Sequence, residues 1–455
     1  MVTTGRLLYL NFRILHRISR WVRERFSAAG MLILGCIVAS GIFGIDTRAS
    51  LAYQIFAITF SLLLISLLGS LVFRAKLKST RKLPEYGTVY LPVKYTVVIE
   101  NLDNKNHSDL LYTDILKSTF PSFEEFKSTH DPADKKRNWF DRKIGYPKLM
   151  SLLRRNRGAS TSWISIDNVP AHDEKEFNIE IIPTRRGYLQ FSHSRLARPD
   201  PFGLFLSFIN KKKQEKLLIL HQTYRVPHIN LMGQRKYQHG GINQASLVGD
   251  SQEFMSLRDY QPGDPLRSIH WRSYAKRGEP IVKEFKDEFF VRHGLVLDTF
   301  IETNTYNQFE EAVSLVASFS LSVKDQDSLL DLLFIGNTSH HFTAGRSFGQ
   351  TSNLLEILAC VTPRLNNDFG HLEKLIEKNL PELSGLILVL LDWDEKRQDM
   401  ASRFIAMNVP IIVFVVMDKV MDLDPGPLNQ HPDRFIPIAA DDVQETLDNV
   451  NWSNL

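Results

Sequence analysis

A chain of 455 residues exceeds one small domain and leaves room for two or three. With 43% hydrophobic and 23% charged residues it is not wholly disordered, and a formal charge of +4 is too small for a polyanion binder acting by net charge. Its two cysteines, Cys36 and Cys360, offer neither a disulfide framework nor zinc-ligand spacing, which suits a reducing compartment.

Residues 1–27 form a basic leader. Within it Leu8, Phe12, Leu15, Ile18 and Trp21 recur at helical spacing opposite a series of arginines. That pattern predicts an amphipathic helix on an anionic membrane surface, although arginines placed there also serve simply to set topology. Two uncharged runs follow within 28–73, separated by "DTR". They predict a two-helix transmembrane hairpin, the second run comfortably long and the first near the lower limit of roughly 20 residues. Lys and Arg crowd both flanks, whereas the turn carries only Asp46 and Arg48. The expectation is a multi-pass protein of the inner membrane with both termini and the soluble domains cytoplasmic.

Residues 83–230 read as extended segments with turn punctuation, and Phe177, Ile179 and Ile181 alternate at period two. They predict a β-sandwich-like domain. The polar stretch 122–158 reads as a long insertion or mobile loop. Residues 293–455 instead alternate short apolar strands ("HGLVLDTF", "LLDLLFIG", "SGLILVLLDW", "VPIIVFVV") with helical stripes such as Phe309, Ala312, Val313, Val316, Phe319 and Val323. This is the rhythm of a doubly wound α/β domain with ligand-competent loops at the strand C-termini.

Between the two lies 231–292, an unusual segment. It runs Glu253-Phe254, Leu257-Arg258-Asp259-Tyr260, Gly263-Asp264, then Arg267-Ser268-Ile269-His270-Trp271. With "TRRGYLQFSHSRLARPDPFGLF" upstream and "LVLDT" downstream, this series resembles the bacterial domain of unknown function 58 family. The resemblance implies two membrane spans, a β-rich region and a von Willebrand factor A-like domain. It also implies association with a MoxR-type AAA+ ATPase and, in some cases, with other A-like or transglutaminase-like membrane proteins.

The ion site of A-like domains uses Asp-x-Ser-x-Ser to surround a hard cation with oxygens. Here Asp298 matches, but Phe300 and Glu302 replace the serines. Asp392 and Asp394 are expected at the same sheet edge; the favoured reading is solvated carboxylates at strand ends with no cofactor, and the alternative is a degenerate site at Asp298 and Asp392 holding Mg²⁺ loosely.

The signature admits a nucleic-acid grip, a catalytic site or a polar network. Between 253 and 288, Arg258, Arg267, Arg272, Lys276, Arg277, Lys283 and Lys286 are matched by Glu253, Asp259, Asp264, Glu279, Glu284, Asp287 and Glu288. A nucleic-acid surface needs an uncompensated basic excess. Glu253, Asp264 and His270 read as acid, base and shuttle, yet no nucleophile elbow, HExxH or P-loop accompanies them. A matched network of Glu253, Arg258, Tyr260, Asp264, Arg267 and Trp271 remains, either locking the β-region to the α/β domain or docking a partner. An extended segment would put Arg267, Ile269 and Trp271 on one side. The expected function is therefore a membrane-anchored, non-catalytic scaffold or adaptor acting with a MoxR-type ATPase in envelope-linked assembly or stress response. The alternative is a membrane-anchored, metal-dependent enzyme using the acids at the sheet edge.

Overall fold

The computed structural model describes residues 2–43, 50–70, 75–128, 137–226, 254–264, 266–285, 291–301, 306–322, 328–336, 338–344, 348–364, 369–419, 423–450 and 452. The chain divides into two compact units, Met1–Gln222 and Thr223–Leu455. It is a mixed α and β structure with several sheets.

The first unit opens with α1 (Val2–Arg25), α2 (Ala28–Phe43) and α3 (Ser50–Ser70). Residues 51–70 of α3 form the one described helix that is long and apolar enough to cross a membrane, with a mean hydropathy of 2.1; α2 is apolar but shorter. A spanning helix needs roughly 20 residues, and α2 has 16. A two-span hairpin is therefore not established, although α2 and α3 pack together. The predicted turn residues Asp46 and Arg48 lie outside the described residues.

Eight strands follow: β1 (Leu77–Lys82), β2 (Tyr86–Thr88), β3 (Val93–Asn101), β4 (Leu110–Leu116), β5 (Ile164–Ile166), β6 (Glu174–Ile181), β7 (Gly187–Pro199) and β8 (Leu206–Leu220). They form a three-stranded sheet β1-β3-β6 and a five-stranded sheet β2-β8-β7-β4-β5. Alternate side chains of both enter one core, with Val97 and Ile99 from β3 against Tyr112, Phe191 and Ile219 from the larger sheet. Period-two burial is what makes these segments strands rather than helices.

Residues 122–158 lie between β4 and β5 as an insertion, and their described part is helical rather than a loop. They contain α4 (Phe123–Ser128), α5 (Trp139–Ile144) and α6 (Tyr146–Arg157), with residues 129–136 outside the described set. Apolar residues three and four apart on α6 bury Leu149, Leu152 and Leu153, and Leu149 and Leu153 share a satellite core with Phe12 of α1. Tyr9 Oη donates to Pro121 O at 2.5 Å. The apolar stripe predicted on α1 is thus divided: Phe12 is buried, while Leu8, Leu15, Ile18 and Trp21 stay exposed.

The second unit begins with an antiparallel pair, β9 (Phe254–Asp259) and β10 (Ile281–Phe285), joined through a short 3₁₀ turn and α7 (Trp271–Arg277). Then come β11 (Val291–Leu297), α8 (Tyr306–Ser322), β12 (Ser328–Ile335), β13 (Ser339–Ala344), α9 (Phe348–Cys360), α10 (Gly370–Asn379), β14 (Gly385–Leu390), α11 (Glu395–Ala406), β15 (Ile411–Met417), β16 (Phe435–Ala439) and α12 (Val443–Asn449).

Six of these strands form one sheet in the order β13-β12-β11-β14-β15-β16, parallel except for β13. Helices α8, α9 and α12 bury their apolar stripes on one face, and α10 and α11 on the other. Covering on both faces explains why β14 and β15 read as continuous apolar runs. The strand order reverses between β11 and β14, and a crevice opens outside their carboxyl ends at such a point. Asp298 follows β11 there, and Leu391–Asp394 follow β14.

Candidate functional sites

The α/β switch point places Asp298 at zero exposure, with three hydrogen-bond donors on its carboxylate. Phe300 N donates to Oδ1 at 2.9 Å. Oδ2 accepts from Leu391 N at 3.3 Å and Arg397 Nε at 2.8 Å, and Arg397 Nη2 is ion-paired with it at 2.7 Å. Arg397 is itself only 2% exposed. It reaches inward because Asp394 caps α11, accepting from Arg397 N, and meets Arg397 Nη1 at 3.1 Å. The guanidinium also donates to Phe300 O at 3.2 Å and lies 4.9 Å from the Phe369 ring centroid. Burial raises the Asp298 carboxyl, opposed by Arg397 and the two backbone N–H groups.

This geometry bears on the degenerate Mg²⁺ site that the sequence left open at Asp298 and Asp392. The cation beside Asp298 is the protein's own guanidinium. Asp392 is exposed and its Oδ1 accepts from the adjacent Trp393 N. The acid that joins Asp298 is Asp394, through Arg397. Among the described residues no group of three or more His, Cys, Asp or Glu could hold a metal; Glu302 lies outside them.

The signature segment builds a second constellation. Arg258 on β9 grips Asp264 with both ends of its fork, Nη1–Oδ2 and Nη2–Oδ1 each 2.7 Å. Gln261 N adds a bond at 2.9 Å, closing the Pro262-Gly263 turn, where φ of +113° suits glycine. Arg258, and next Gln261 N–H, hold the Asp264 carboxyl below its usual range. Tyr260 N bonds Pro280 O at 3.0 Å.

Beyond the turn the chain is not extended. Leu266–Ser268 is a 3₁₀ turn and Trp271 opens α7. Consequently Ile269 and Trp271 do not share a side: Ile269 is buried and bridges Val282, whereas Trp271 is 63% exposed. Trp271 meets Tyr274 edge-on at 6.1 Å, and Arg272, Lys276 and Arg277 are exposed beside it. Arg267 occupies the 3₁₀ turn, and Glu253 lies outside the described residues. His270 Nδ1 lies 2.7 Å from Ser273 Oγ at the start of α7, and no carboxylate pairs with it among the described residues.

A buried ionic lock between layers does exist, but in the first unit. Arg81 on β1 meets Asp114 on β4 at 2.7 Å, both side chains fully buried. Tyr95 and Tyr112 Oη donate to Asp114 at 2.6 and 2.7 Å, and Arg81 also reaches Glu215 and Ser194 Oγ at 2.8 Å each. The pair ties the two sheets together. Sequence reasoning missed it and Arg397 alike. The only signal was a charged residue at an inward position of an alternating strand, and for Arg397 an arginine in the buried stripe of an amphipathic helix.

With the geometry described, comparison with known proteins identifies the segment that carries both unit-two sites. Residues 256–420 match the family model "Protein of unknown function DUF58". This segment belongs to the DUF58 family. A curated relative, the uncharacterised protein YeaD of Bacillus subtilis (strain 168), is 29% identical over 183 residues, 40% of this chain. The match spans 44% of that relative's length.

Among solved structures, proximal thread matrix protein 1 from the mussel byssus covers 36% of this chain and 47% of its own, at 12% identity and a TM-score of 0.29. Plasmodium vivax TRAP protein covers 35% and 72%, at 12% and 0.25. The CARDB domain of the Pyrococcus furiosus PF1109 protein covers 32% and 93%, at 12% and 0.18. TM-scores of this size support no conclusion about the chain.

Proposed function

We propose that the chain is a membrane-anchored scaffold or adaptor without catalytic activity, and that it recruits a MoxR-type AAA+ ATPase through the DUF58 segment for envelope-linked assembly or stress response. The single observation that carries this reading is the surface of α7 and of the 3₁₀ turn before it. Trp271, Leu266 and Tyr274 are exposed beside Arg272, Lys276 and Arg277, on a hairpin held by the Arg258–Asp264 fork. Aromatic and arginine side chains presented on a rigid support are the composition of protein-binding hot spots. Neutralisation of Asp298 by Arg397 favours this over the metal-dependent enzyme.

The strand order with one antiparallel edge supports a von Willebrand factor A-like reading of the α/β part. The long apolar α3, the apolar α2 and the exposed Leu8, Leu15, Ile18 and Trp21 on α1 support anchorage as a helical hairpin in the inner membrane, with α1 on lipid and both termini cytoplasmic. Other A-like or transglutaminase-like membrane proteins fit the same assembly. The test is affinity purification of the full chain from membranes, comparing wild type with Trp271→Ala and Arg272→Glu. Co-purification of an AAA+ ATPase with wild type and its loss from both variants supports recruitment through α7. Equal recovery from all three excludes that surface.

A further inference from the structure

A cleft in the first unit has the chemistry of an anion site. Three segments converge on it. Helix α6 stops at Gly158 (φ +80°), whose N–H donates to Arg154 O at 3.2 Å and Arg155 O at 3.1 Å. The chain then runs beside the turn before β7, with Thr184 N bonded to Gly158 O at 2.7 Å and Ala159 bridging Pro183. Lys117, just past β4, is held by its N–H to Gln190 O at 2.8 Å. The space between has a volume of about 150 Å³, and its walls include Lys117, Asn156, Arg157, Arg185, Arg186 and Gln190. A cavity of roughly that size accommodates a benzene-sized ligand.

The charge balance is one-sided. Four wall residues are cationic and none is acidic. Among the described residues no carboxylate lies within ion-pair distance of Lys117, Arg157 or Arg185. The nearby acids are committed elsewhere: Glu125 to Arg155 at 3.5 Å, and Glu24 to Arg20 and Arg195 at 2.7 and 2.8 Å. The carbonyl end of α6 explains only part of this, since a helix C-terminus carries about half a negative charge. Arg157 is also pulled below its ordinary pKa by burial and then by Arg20, with Arg154 and Arg23 adding and Glu24 opposing. A bound anion would relieve the repulsion that Arg157 meets from Arg20, Arg154 and Arg23.

We infer that this cleft binds a phosphate group, with Arg157 and Arg185 gripping its oxygens and Lys117 closing the open side. A guanidinium fork matches the tetrahedral oxyanion bidentately, and Gln190 supplies a neutral partner, whereas Asn156 Nδ2 is taken up by Thr119 O and Glu125 Oε1 at 3.4 Å each. The phosphate belongs either to a phospholipid headgroup or to a small soluble phosphate ester, because the same donors recognise both.

The experiment titrates the full chain, in a neutral maltoside detergent, with inorganic phosphate and separately with dihexanoylphosphatidic acid, a soluble short-chain phospholipid. Saturable binding of at least one probe is expected, weakened about a hundredfold in Arg157→Gln/Arg185→Gln, since each lost charge-assisted bond removes about tenfold. Comparable affinity for both probes points to a free phosphate ester, and clear preference for the lipid points to a headgroup. Lys117→Gln, a single change at an exposed residue, serves if the double variant fails to fold and should weaken binding severalfold. Absence of saturation with both probes, or unchanged binding in a folded variant, overturns the assignment.

Discussion

Replacing Arg397 with Met probes the α/β switch point most sharply. The side chains are similar in length, so the change removes charge and donors with little loss of packing. Asp298 would then keep only Phe300 N and the 3.3 Å contact from Leu391 N, at a site with no solvent exposure. Leaving one member of a buried ion pair costs about 3–5 kcal/mol. The lost contact with the Phe369 ring lies within that figure. In a unit of this size the melting temperature should fall by roughly 2–4 °C per kcal/mol, or about 6–20 °C. Pulse proteolysis of the full chain in detergent, resolved by fragment, is the suitable assay because the two units need not unfold together. The double variant Asp298→Leu/Arg397→Met should recover most of the loss, since an apolar pair can replace a buried ionic one at little cost. An Arg397→Met protein within about 1 kcal/mol of wild type would refute the argument that the guanidinium neutralises Asp298.

Three further outcomes follow from the same geometry. Asp114→Ala should destabilise the first unit by about 3–5 kcal/mol, because Arg81 is left buried with only Glu215 as counter-ion; fragment-resolved proteolysis reads it. His221 is buried, and desolvation followed by repulsion from Arg186 lowers its pKa from 6.5 to about 3. Its contribution to stability is whole above pH 6.5 and is lost as pH falls toward 3, because the unfolded state takes up a proton that the folded state refuses. The loss reaches about 4–5 kcal/mol, and His221→Phe should flatten the stability profile of the first unit across that window; an unchanged slope contradicts the assignment. Gly294→Ala places a methyl 2.6 Å from Leu386 Cδ2 and 2.8 Å from Leu383 Cδ1. Overpacking in the sheet should cost about 1–3 kcal/mol by denaturant unfolding.

Most of the architecture was legible because it depends on periodicity. Phe309, Ala312, Val313, Val316 and Phe319 repeat at helical spacing and are all buried on α8. The uninterrupted apolar runs of β14 and β15 declared a sheet covered on both faces. The helices within the 122–158 insertion were not legible because its polar residues dominate composition, while α6 rests on a few buried leucines, Leu149, Leu152 and Leu153.

The sites were less legible, since they depend on pairings across long separations. Arg397 and Asp298 are 99 residues apart, and Arg81 and Asp114 are 33 apart. Local spacing carries no trace of such partners. The Arg258–Asp264 fork spans six residues across one turn, so the acidic turn position and the basic strand position were visible as neighbours. The helical entry at Trp271 was not, because Arg267, Ile269 and Trp271 also fit a period-two strand.

The most direct test of the proposed adaptor role is site-specific photo-crosslinking in native membranes. A photoreactive residue replaces Tyr274 on the exposed face of α7 in one protein and Glu395 at the start of α11 in another. Recruitment through α7 predicts a cross-link from position 274 to a MoxR-type AAA+ ATPase, absent from position 395 and abolished by Trp271→Ala. No ATPase cross-link from position 274, or one that survives Trp271→Ala unchanged, would contradict it.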